Sequence, residues 1–258
     1  GFFFRERLEN INNKYISFFL KPIFNLLEIY LFHSSNLIIT LTKSSIPRIQ
    51  KILGPTIKPI YVIPTVTSRE EKYKLKNSKK EYDFIYLGSA NKPYCLDDAI
   101  KLVGNLNRYK KKDYSLLVIT RSNITPFKIL ACKYGLKKNI KFITVDHENV
   151  FSYIEKCKCG LVFLESGTSR LAQFPTKVGE LLSQSVPICT NNNLPEIANL
   201  IKEFDAGKVI KNFPSKGSYD DFIDLFDNYE YFSKNAFNLW DSKLSPKVAL
   251  KYYKEIYS

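Results

Sequence analysis

The fold is indicated by the stretch CGLVFLESGTSRLAQFPTKVGELLSQSVPICT, which runs from Cys159 to Thr190. It starts with one continuous apolar run, 159–165, and ends with a second, 186–190, and each has the length of a β-strand. Between them lie a polar loop and a segment, 177–185, that we expect to be helical. Two short apolar strands joined through a helix are typical of a parallel sheet that is covered on both faces.

The same order of strand and helix continues from residue 83 to residue 210. Because the apolar runs do not alternate with polar residues, the sequence predicts an α/β fold with a doubly wound, Rossmann-like parallel sheet. The expected strands are 83–88, 114–120, 139–143, 159–165, 186–190 and 207–210, and the expected helices are 96–106, 126–134, 148–156, 177–185 and 195–203.

The residues before this region form a shorter α/β pattern. Two apolar runs, 37–42 and 60–64, flank an expected helix at 44–53. The apolar stretch from Tyr15 to Phe32 contains Lys21, Pro22 and Glu28, which a helix facing lipid does not readily accept. We therefore expect a buried or interfacial pair of helices broken near Pro22. Residues 65–81 are highly charged, which is typical of a linker.

The composition is that of a globular protein, because 45% of the 258 residues are apolar and 25% are charged. The net charge of +14 favours an anionic partner, such as a phosphate-bearing metabolite or an acidic membrane surface. The basic clusters at 69–80 and 108–112 lack interleaved glycine and aromatic residues, so we expect no nucleic-acid partner.

The cysteines and histidines argue against a metal site. The five cysteines have no CxxC spacing, and only two histidines are present. We expect reduced thiols in a cytoplasmic protein without a bound metal. The chain contains no methionine, so residue 1 is not an encoded start, and we expect a fragment that lacks its N-terminal part.

Candidate ligand-binding residues follow two of the expected strands. In a doubly wound sheet the ligand lies beyond the carboxyl ends of the strands. Gly88 and Ser89 stand at the end of the strand 83–88, and Arg121 follows the strand 114–120. A glycine lets a ligand approach the backbone closely, and a guanidinium binds phosphate. A plain tight turn explains Gly88 equally well, and an ordinary surface arginine explains Arg121.

The segment 175–180 offers a second set of candidates. Pro175 is suited to the start of a helix, so the amides of Thr176, Lys177 and Val178 would face the ligand edge with the positive end of the helix dipole. Lys177 adds a charge for a diphosphate, and Glu180 could accept hydrogen bonds from the two hydroxyls of a ribose. An ordinary surface ion pair between Lys177 and Glu180 explains the same residues, and both interpretations stay open.

Four segments resemble one enzyme family. PTKVGELLSQSVPICTN, 175–191, resembles the PTKxxEyLAxGxPVI signature of bacterial GT-B glycosyltransferases related to family 4. The end of that family's first domain is resembled by SNLIITLT, 35–42, and VIPT, 62–65. The opening of its second domain is resembled by DFIYLGS, 83–89. GFFFRERL, 1–8, resembles its RGFW-x-DER segment. The segments occur in the family's order and span essentially the whole chain.

The resemblance implies two Rossmann-like domains that face each other across a cleft. Residues 1–66 would be the remnant of the acceptor-side domain, 67–81 the linker, 82–240 the nucleotide-sugar-binding domain, and 241–258 a helix that crosses back. The implied activity is transfer of a sugar from a nucleotide-diphospho-sugar, without a cofactor, to a saccharide or lipid-linked acceptor in cell-envelope polysaccharide biosynthesis. Retention of configuration and independence of metal are implied as well. The implied location is cytoplasmic, with peripheral contact with the inner face of the membrane left open.

The resemblance also assigns roles to residues. Gly88 and Ser89 would form the glycine loop near the diphosphate, Thr176 and Lys177 would contact the diphosphate or the sugar, and Glu180 would bind the ribose hydroxyls. The catalytic residues of the acceptor half stay unknown.

Arg121 is expected to join Lys177 in stabilising the departing diphosphate. Two positions depart from the family. Ala172 stands where many relatives have a second glutamate, eight residues before Glu180, and Ser185 stands where a glycine is common.

Two other functions stay open. A GT-B-like sugar-nucleotide epimerase would need acid and base groups, for which His147 beside Glu148 is the candidate. The fragment itself could also be a non-catalytic nucleotide-binding module.

Overall fold

A computed structural model of the protein describes residues 14–68, 79–210 and 216–258, together with Leu8. Most of the expected linker and of the segment resembling RGFW-x-DER therefore lie outside the described residues.

The main sheet has six parallel strands in the order β5-β4-β3-β6-β7-β8. The chain winds outward in one direction from β3 and then returns to continue from β6, so the switch point of the topology lies between these two strands. The expected doubly wound sheet is confirmed, and the observed strand bounds differ from the expected ones by at most three residues. The strands are β3 (Tyr82–Leu87), β4 (Leu116–Ile119), β5 (Ile140–Ile143), β6 (Cys157–Val162), β7 (Ile188–Asn191) and β8 (Gly207–Ile210).

Helices follow the strands of this sheet at the expected places. The helix after β3 runs four residues further than expected, to Lys110, because Arg108 and Lys110 in its last turn complement the negative end of the helix dipole. The helices are α3 (Leu96–Lys110), α4 (Thr125–Lys133), α5 (His147–Ile154), α6 (Thr176–Ser183), α7 (Pro195–Phe204), α8 (Lys216–Asp227), α9 (Tyr229–Leu239) and α10 (Pro246–Tyr257).

Both faces of the sheet are packed, as expected for parallel strands. Successive residues of a strand point to opposite faces, and in β3 Phe84 and Tyr86 enter one apolar cluster. Ile85 and Leu87 enter a second apolar cluster on the opposite face, which also includes buried side chains of α6.

A smaller unit precedes the main sheet. Its strands β1 (Ile38–Thr40) and β2 (Ile60–Val62) pair in parallel, with Ile38 beside Ile60. Helix α2 (Ile46–Leu53) joins them, and helix α1 (Lys14–Ser34) comes before them. These elements match the two expected strands and the expected helix.

Helix α1 corrects one expectation. Lys14–Ser34 is a continuous helix with Pro22 in its interior, so the expected break is wrong. Phe18 and Phe19 are 74% and 70% exposed, so within the described residues they are not core residues. Among the same residues, no helix combines the length and apolar character that crossing a membrane requires.

Hydrogen bonds attach the small unit to the main sheet. The amide and the hydroxyl of Ser44 both donate to Oε2 of Glu196, at 3.0 Å each, at the start of α7. The hydroxyl of Thr42 donates to the carbonyl of Leu171, and that of Thr65 donates to the carbonyl of Phe174 at 2.8 Å. The small unit is therefore held beside the loop that leads into α6.

Candidate functional site

A cavity of about 640 Å³ opens at the switch point of the main sheet. Its walls come from the residues after β3, β4 and β5 and from the start of α6, so it lies where a doubly wound sheet binds its ligand. All six residues predicted for the ligand site are among those that line it. The lining is formed by Leu87, Gly88, Ser89, Asn91, Tyr94, Ile119, Thr120, Arg121, Ser122, Val145, His147, Val150, Pro175, Thr176, Lys177 and Glu180.

Gly88 forms the floor of the cavity at the end of β3. Its φ of +105° is a backbone conformation that residues with a side chain rarely adopt. A Cβ atom at this position would lie at an ordinary contact distance, 3.5 Å, from Nζ of Lys177, so the backbone conformation and not the space favours glycine. This geometry fits both the predicted close approach of a ligand and a plain tight turn.

The loop that follows Gly88 is held by hydrogen bonds. The amide of Ala90 donates to the hydroxyl of Ser122 at 3.0 Å, and the amide of Asn91 donates to that of Ser89 at 3.1 Å. The hydroxyl of Tyr86 donates to the carbonyl of Ser89 at 2.6 Å. The loops after β3 and β4 are thus tied into one rigid wall.

Lys177 is buried in the first turn of α6, with only 8% of its surface exposed. Its Nζ donates to the carbonyl of Leu87 at 2.9 Å and lies 4.1 Å from the centroid of the Tyr94 ring. Burial lowers the pKa of Lys177 to about 8, and the nearby Glu180 carboxylate opposes that shift. A buried cation beside a cavity is suited to receive an anion.

The start of α6 differs from the prediction in one detail. Pro175 precedes the helix as its N-cap residue, and the amide of Val178 donates to the carbonyl of Pro175 at 3.1 Å. That amide is therefore already paired and is not available to a ligand as expected.

Glu180 lies one turn beyond Lys177, with its carboxylate partly buried at 14% exposure. Burial raises its pKa, against the opposing effects of His147 and Lys177. Its Oε1 lies 3.9 Å from Nδ1 of His147, and no salt bridge joins Glu180 to Lys177 among the described residues. The surface ion pair between Lys177 and Glu180 that the sequence left open is therefore wrong.

Arg121 stands on the exposed rim of the cavity. Its Nη2 lies 3.3 Å from Oδ1 of Asp146, and both side chains are largely exposed. An exposed ion pair of this kind contributes little to stability, so the guanidinium can exchange its partner for a ligand phosphate at small cost.

Tyr94 and His147 also line the cavity, and neither is among the six predicted site residues. Tyr94 lies in the loop after β3 and carries no motif, so no signal in the sequence indicated it. His147 was considered an acid–base candidate only, whereas the structure places it against Glu180. Its position shortly after the expected strand 139–143 was the available signal.

The two departures from the family have structural explanations. Ala172 is 4% exposed and packs with Ile38, Ile49 and Leu53 of the small unit, where a glutamate would bury its charge among apolar side chains. Ser185 has a φ of +59°, the left-handed conformation that glycine adopts most easily.

One group of potential metal ligands occurs among the described residues, formed by Cys95, Asp97 and Asp98 at the start of α3. Nζ of Lys101 lies 2.6 Å from Asp97 and 3.3 Å from Asp98, so both carboxylates already have a cationic partner. Burial raises the pKa of Cys95 to about 12, which keeps its thiol protonated near neutral pH.

Solved structures with the same fold include the pneumococcal O-GlcNAc transferase GtfA in complex with UDP and GlcNAc, with a TM-score of 0.69 and 13% identity over 88% of this chain. A variant of TarM from S. aureus, in complex with Fondaparinux, alpha-GlcNAc-glycerol and UDP, gives a TM-score of 0.70 and 13% identity over 88% of the chain. WaaG, a glycosyltransferase involved in lipopolysaccharide biosynthesis, gives a TM-score of 0.63 and 18% identity over 85% of the chain. These similarities confirm the expected GT-B fold.

The chain spans only part of these proteins, namely 46% of GtfA, 45% of TarM and 62% of WaaG. A comparison with curated proteins gives no match. The sequence profile of the glycosyl transferases group 1 family matches residues 67–238, which include every residue of the cavity. Because this match covers well over half of the chain, the protein belongs to the glycosyl transferases group 1 family.

Proposed function

We propose that the whole protein is a glycosyltransferase that moves a sugar from a nucleotide-diphospho-sugar to a saccharide or lipid-linked acceptor in cell-envelope polysaccharide biosynthesis. The observation that carries this proposal is the cavity at the switch point, where a buried cation and a carboxylate stand one helical turn apart. We assign Lys177 to the diphosphate and Glu180 to the ribose.

The diphosphate would lie between Gly88 and the start of α6. Lys177 supplies a positive charge there, and the amide of Thr176 lies at the positive end of the helix. Gly88 lets the phosphate oxygens approach the backbone, since no side chain stands above it.

The nucleoside would occupy the part of the cavity beyond Glu180. Its carboxylate can accept hydrogen bonds from both ribose hydroxyls, and His147 lies beside it. The apolar side chains of Ile119, Val145 and Val150 line the same cavity and suit the face of a base.

The transfer breaks the bond between C1 of the sugar and the diphosphate oxygen, which keeps the electron pair. The acceptor hydroxyl oxygen forms the new bond to C1 and passes its proton to the departing diphosphate. Lys177 and Arg121 would stabilise the charge on the leaving diphosphate without a metal or a cofactor. We propose that the configuration at C1 is retained, as the family resemblance implies.

Two of the proteins with the same fold support a cell-envelope acceptor. WaaG takes part in lipopolysaccharide biosynthesis, and TarM was crystallised with a GlcNAc-glycerol compound. We propose a cytoplasmic location with peripheral contact with the inner membrane through α1, whose Phe18, Phe19 and Leu26 are exposed.

Isothermal titration calorimetry of the chain with UDP, GDP and ADP tests the donor site. We expect one of these nucleotides to bind at least ten times more tightly than the corresponding nucleoside monophosphate, because the second phosphate reaches Lys177. No binding of any nucleotide, or equal affinity for mono- and diphosphates, would contradict the assignment.

Turnover by the protein with its acceptor-side domain tests the reaction. Release of nucleoside diphosphate only in the presence of an acceptor saccharide supports a transferase. Conversion of the donor into a second nucleotide-sugar without an acceptor would support the epimerase instead.

A further inference from the structure

The ammonium group of Lys177 has an unusual environment for a buried charge. Its Nζ donates to the carbonyl of Leu87 at 2.9 Å, which satisfies one of its three N–H bonds. No salt bridge to Lys177 occurs among the described residues, although the residue is only 8% exposed. The Glu180 carboxylate favours the charged form without a salt bridge, so the groups in contact with the ammonium group are uncharged.

Two aromatic rings are among these uncharged neighbours. Nζ lies 4.1 Å from the centroid of the Tyr94 ring and 5.2 Å from that of Tyr86. A cation over the face of an aromatic ring is attracted by the negative charge of that face, and the attraction grows when the pair is shielded from water. The shorter distance makes Tyr94 the principal partner.

Backbone contacts fix the position of Tyr94. Its amide donates to the carbonyl of Asn91 at 3.0 Å, and it forms an antiparallel bridge with Leu164, just beyond β6. Its side chain packs against the apolar clusters on both faces of the sheet. The ring is thus fixed between the carboxyl ends of β3 and β6, where the cavity opens.

We propose that Tyr94 is a positioning residue for Lys177, and that the face of its ring holds the ammonium group charged and in place beside Gly88 for the diphosphate of the donor. The role in donor binding rests on the proposed function, whereas the hold on the Lys177 charge does not. Loss of the ring face would leave the ammonium group less stable in its buried position.

The Cys95 thiol and the Tyr86 hydroxyl near Lys177 stay protonated near pH 8. Burial raises the pKa of the Cys95 thiol to about 12, and it raises the pKa of the Tyr86 hydroxyl well above its usual range. Glu180 on α6 is the nearby carboxylate, and His147 faces it from the first turn of α5. Since the pKa of Lys177 is about 8, its own titration is separated from those of Cys95 and Tyr86.

The charge of Lys177 can be followed without any ligand. In protein labelled with ¹³C at the lysine Cε, the chemical shift of each lysine reports its protonation, and the Lys177 signal is identified by its loss in Lys177→Met. The titration is recorded for the wild type, for Tyr94→Phe and for Tyr94→Leu, with circular dichroism as the check on folding. A further variant with 3,4,5-trifluorophenylalanine at position 94 keeps the shape of the ring and weakens the charge of its face.

We expect Tyr94→Phe to titrate like the wild type, because it retains the ring face. In Tyr94→Leu and in the fluorinated variant, the midpoint should fall by about one pH unit, which corresponds to the loss of a buried cation–π contact. An unchanged midpoint in the fluorinated variant would overturn the proposal, since that variant preserves the packing. A midpoint that falls equally in Tyr94→Phe would also overturn it, because the hydroxyl and not the ring would then be responsible.

Binding of UDP or of the nucleotide selected by calorimetry is measured on the same four proteins from pH 6.5 to 9.5. Affinity should decrease as Lys177 loses its proton, and this decrease should begin at lower pH in Tyr94→Leu and in the fluorinated variant. If no nucleotide binds the wild type, the proposed function fails while the lysine titration still decides the role of Tyr94. If nucleotide binds but the midpoints coincide in all variants, Tyr94 is not the positioning residue and the donor site stands.

Discussion

Nδ1 of His147 lies 3.9 Å from Oε1 of Glu180, and this contact joins the first residue of α5 to helix α6 across the cavity. The carboxylate therefore has a neighbour on another helix, whereas no salt bridge joins it to Lys177 among the described residues. Because Glu180 is only partly exposed, its position is restricted before any ligand arrives, as a ribose-binding group requires.

The first prediction concerns Glu180 and the ribose. Glu180→Ala should weaken UDP binding about 10- to 100-fold, because hydrogen bonds to a charged group contribute about 1.5–3 kcal/mol. For 2′,3′-dideoxy-UDP, which lacks both hydroxyls, the wild type and the variant should bind alike. Calorimetry with both nucleotides measures the difference. Glu148→Ala removes an exposed carboxylate outside the cavity and serves as the control; equal losses with both nucleotides would contradict the ribose assignment.

The second prediction concerns the effect of Lys177 on stability. The folded-state pKa of about 8 lies below the value of 10.5 expected in the unfolded chain, so the unfolded state binds the proton more tightly. This difference lowers the free energy of unfolding below pH 8, and the loss disappears as the pH rises from 8 to 10.5.

Lys177→Met should therefore raise the free energy of unfolding at pH 7 by about 1–3 kcal/mol while it abolishes nucleotide binding. The gain should shrink at pH 10. Urea denaturation at both pH values gives the comparison, and Lys141→Met, which replaces an exposed lysine, is the matched control. A destabilised Lys177→Met protein at pH 7 would show that burial of the charge carries no such penalty.

The third prediction concerns the left-handed residue after α6. Ser185→Gly should stabilise the protein by about 0.5–1.5 kcal/mol, because its φ of +59° strains a residue with a Cβ and its hydroxyl is buried without a hydrogen bond. Thermal unfolding should show a rise of a few degrees. Ser183→Gly, inside the same helix, should lower the midpoint instead. A fall in both variants would contradict the strain at Ser185.

The fourth prediction concerns the attachment of the small unit. Glu196→Ala removes the acceptor of both Ser44 hydrogen bonds, so the Ser44 amide should exchange with deuterium at least ten times faster. Glu196→Gln keeps an acceptor oxygen and should show a smaller effect. Hydrogen exchange followed by mass spectrometry resolves the segment, and Glu203→Ala, on the exposed face of α7, is the control. Unchanged exchange in Glu196→Ala would mean that other contacts hold the unit.

Much of the fold was predictable because it follows from local patterns. Continuous apolar strands between helices require a parallel sheet with both faces covered, and the turn at Gly88 marks the carboxyl end of β3. The break expected at Pro22 was wrong because a helix can continue through a proline when only one backbone hydrogen bond is lost. A sequence pattern does not reveal whether that loss is tolerated.

The sequence by itself determined the doubly wound sheet, the place of the ligand edge and the six candidate residues that line it. Only the tertiary structure decided their partners. Lys177 faces a carbonyl and the ring of Tyr94 instead of Glu180, and Glu180 faces His147. The physical reason is that strand and helix formation depend on near neighbours, whereas burial of a charge depends on which loops the sheet order brings together. The ring of Tyr94 lies beside Lys177 only because β3 and β6 are adjacent in that order.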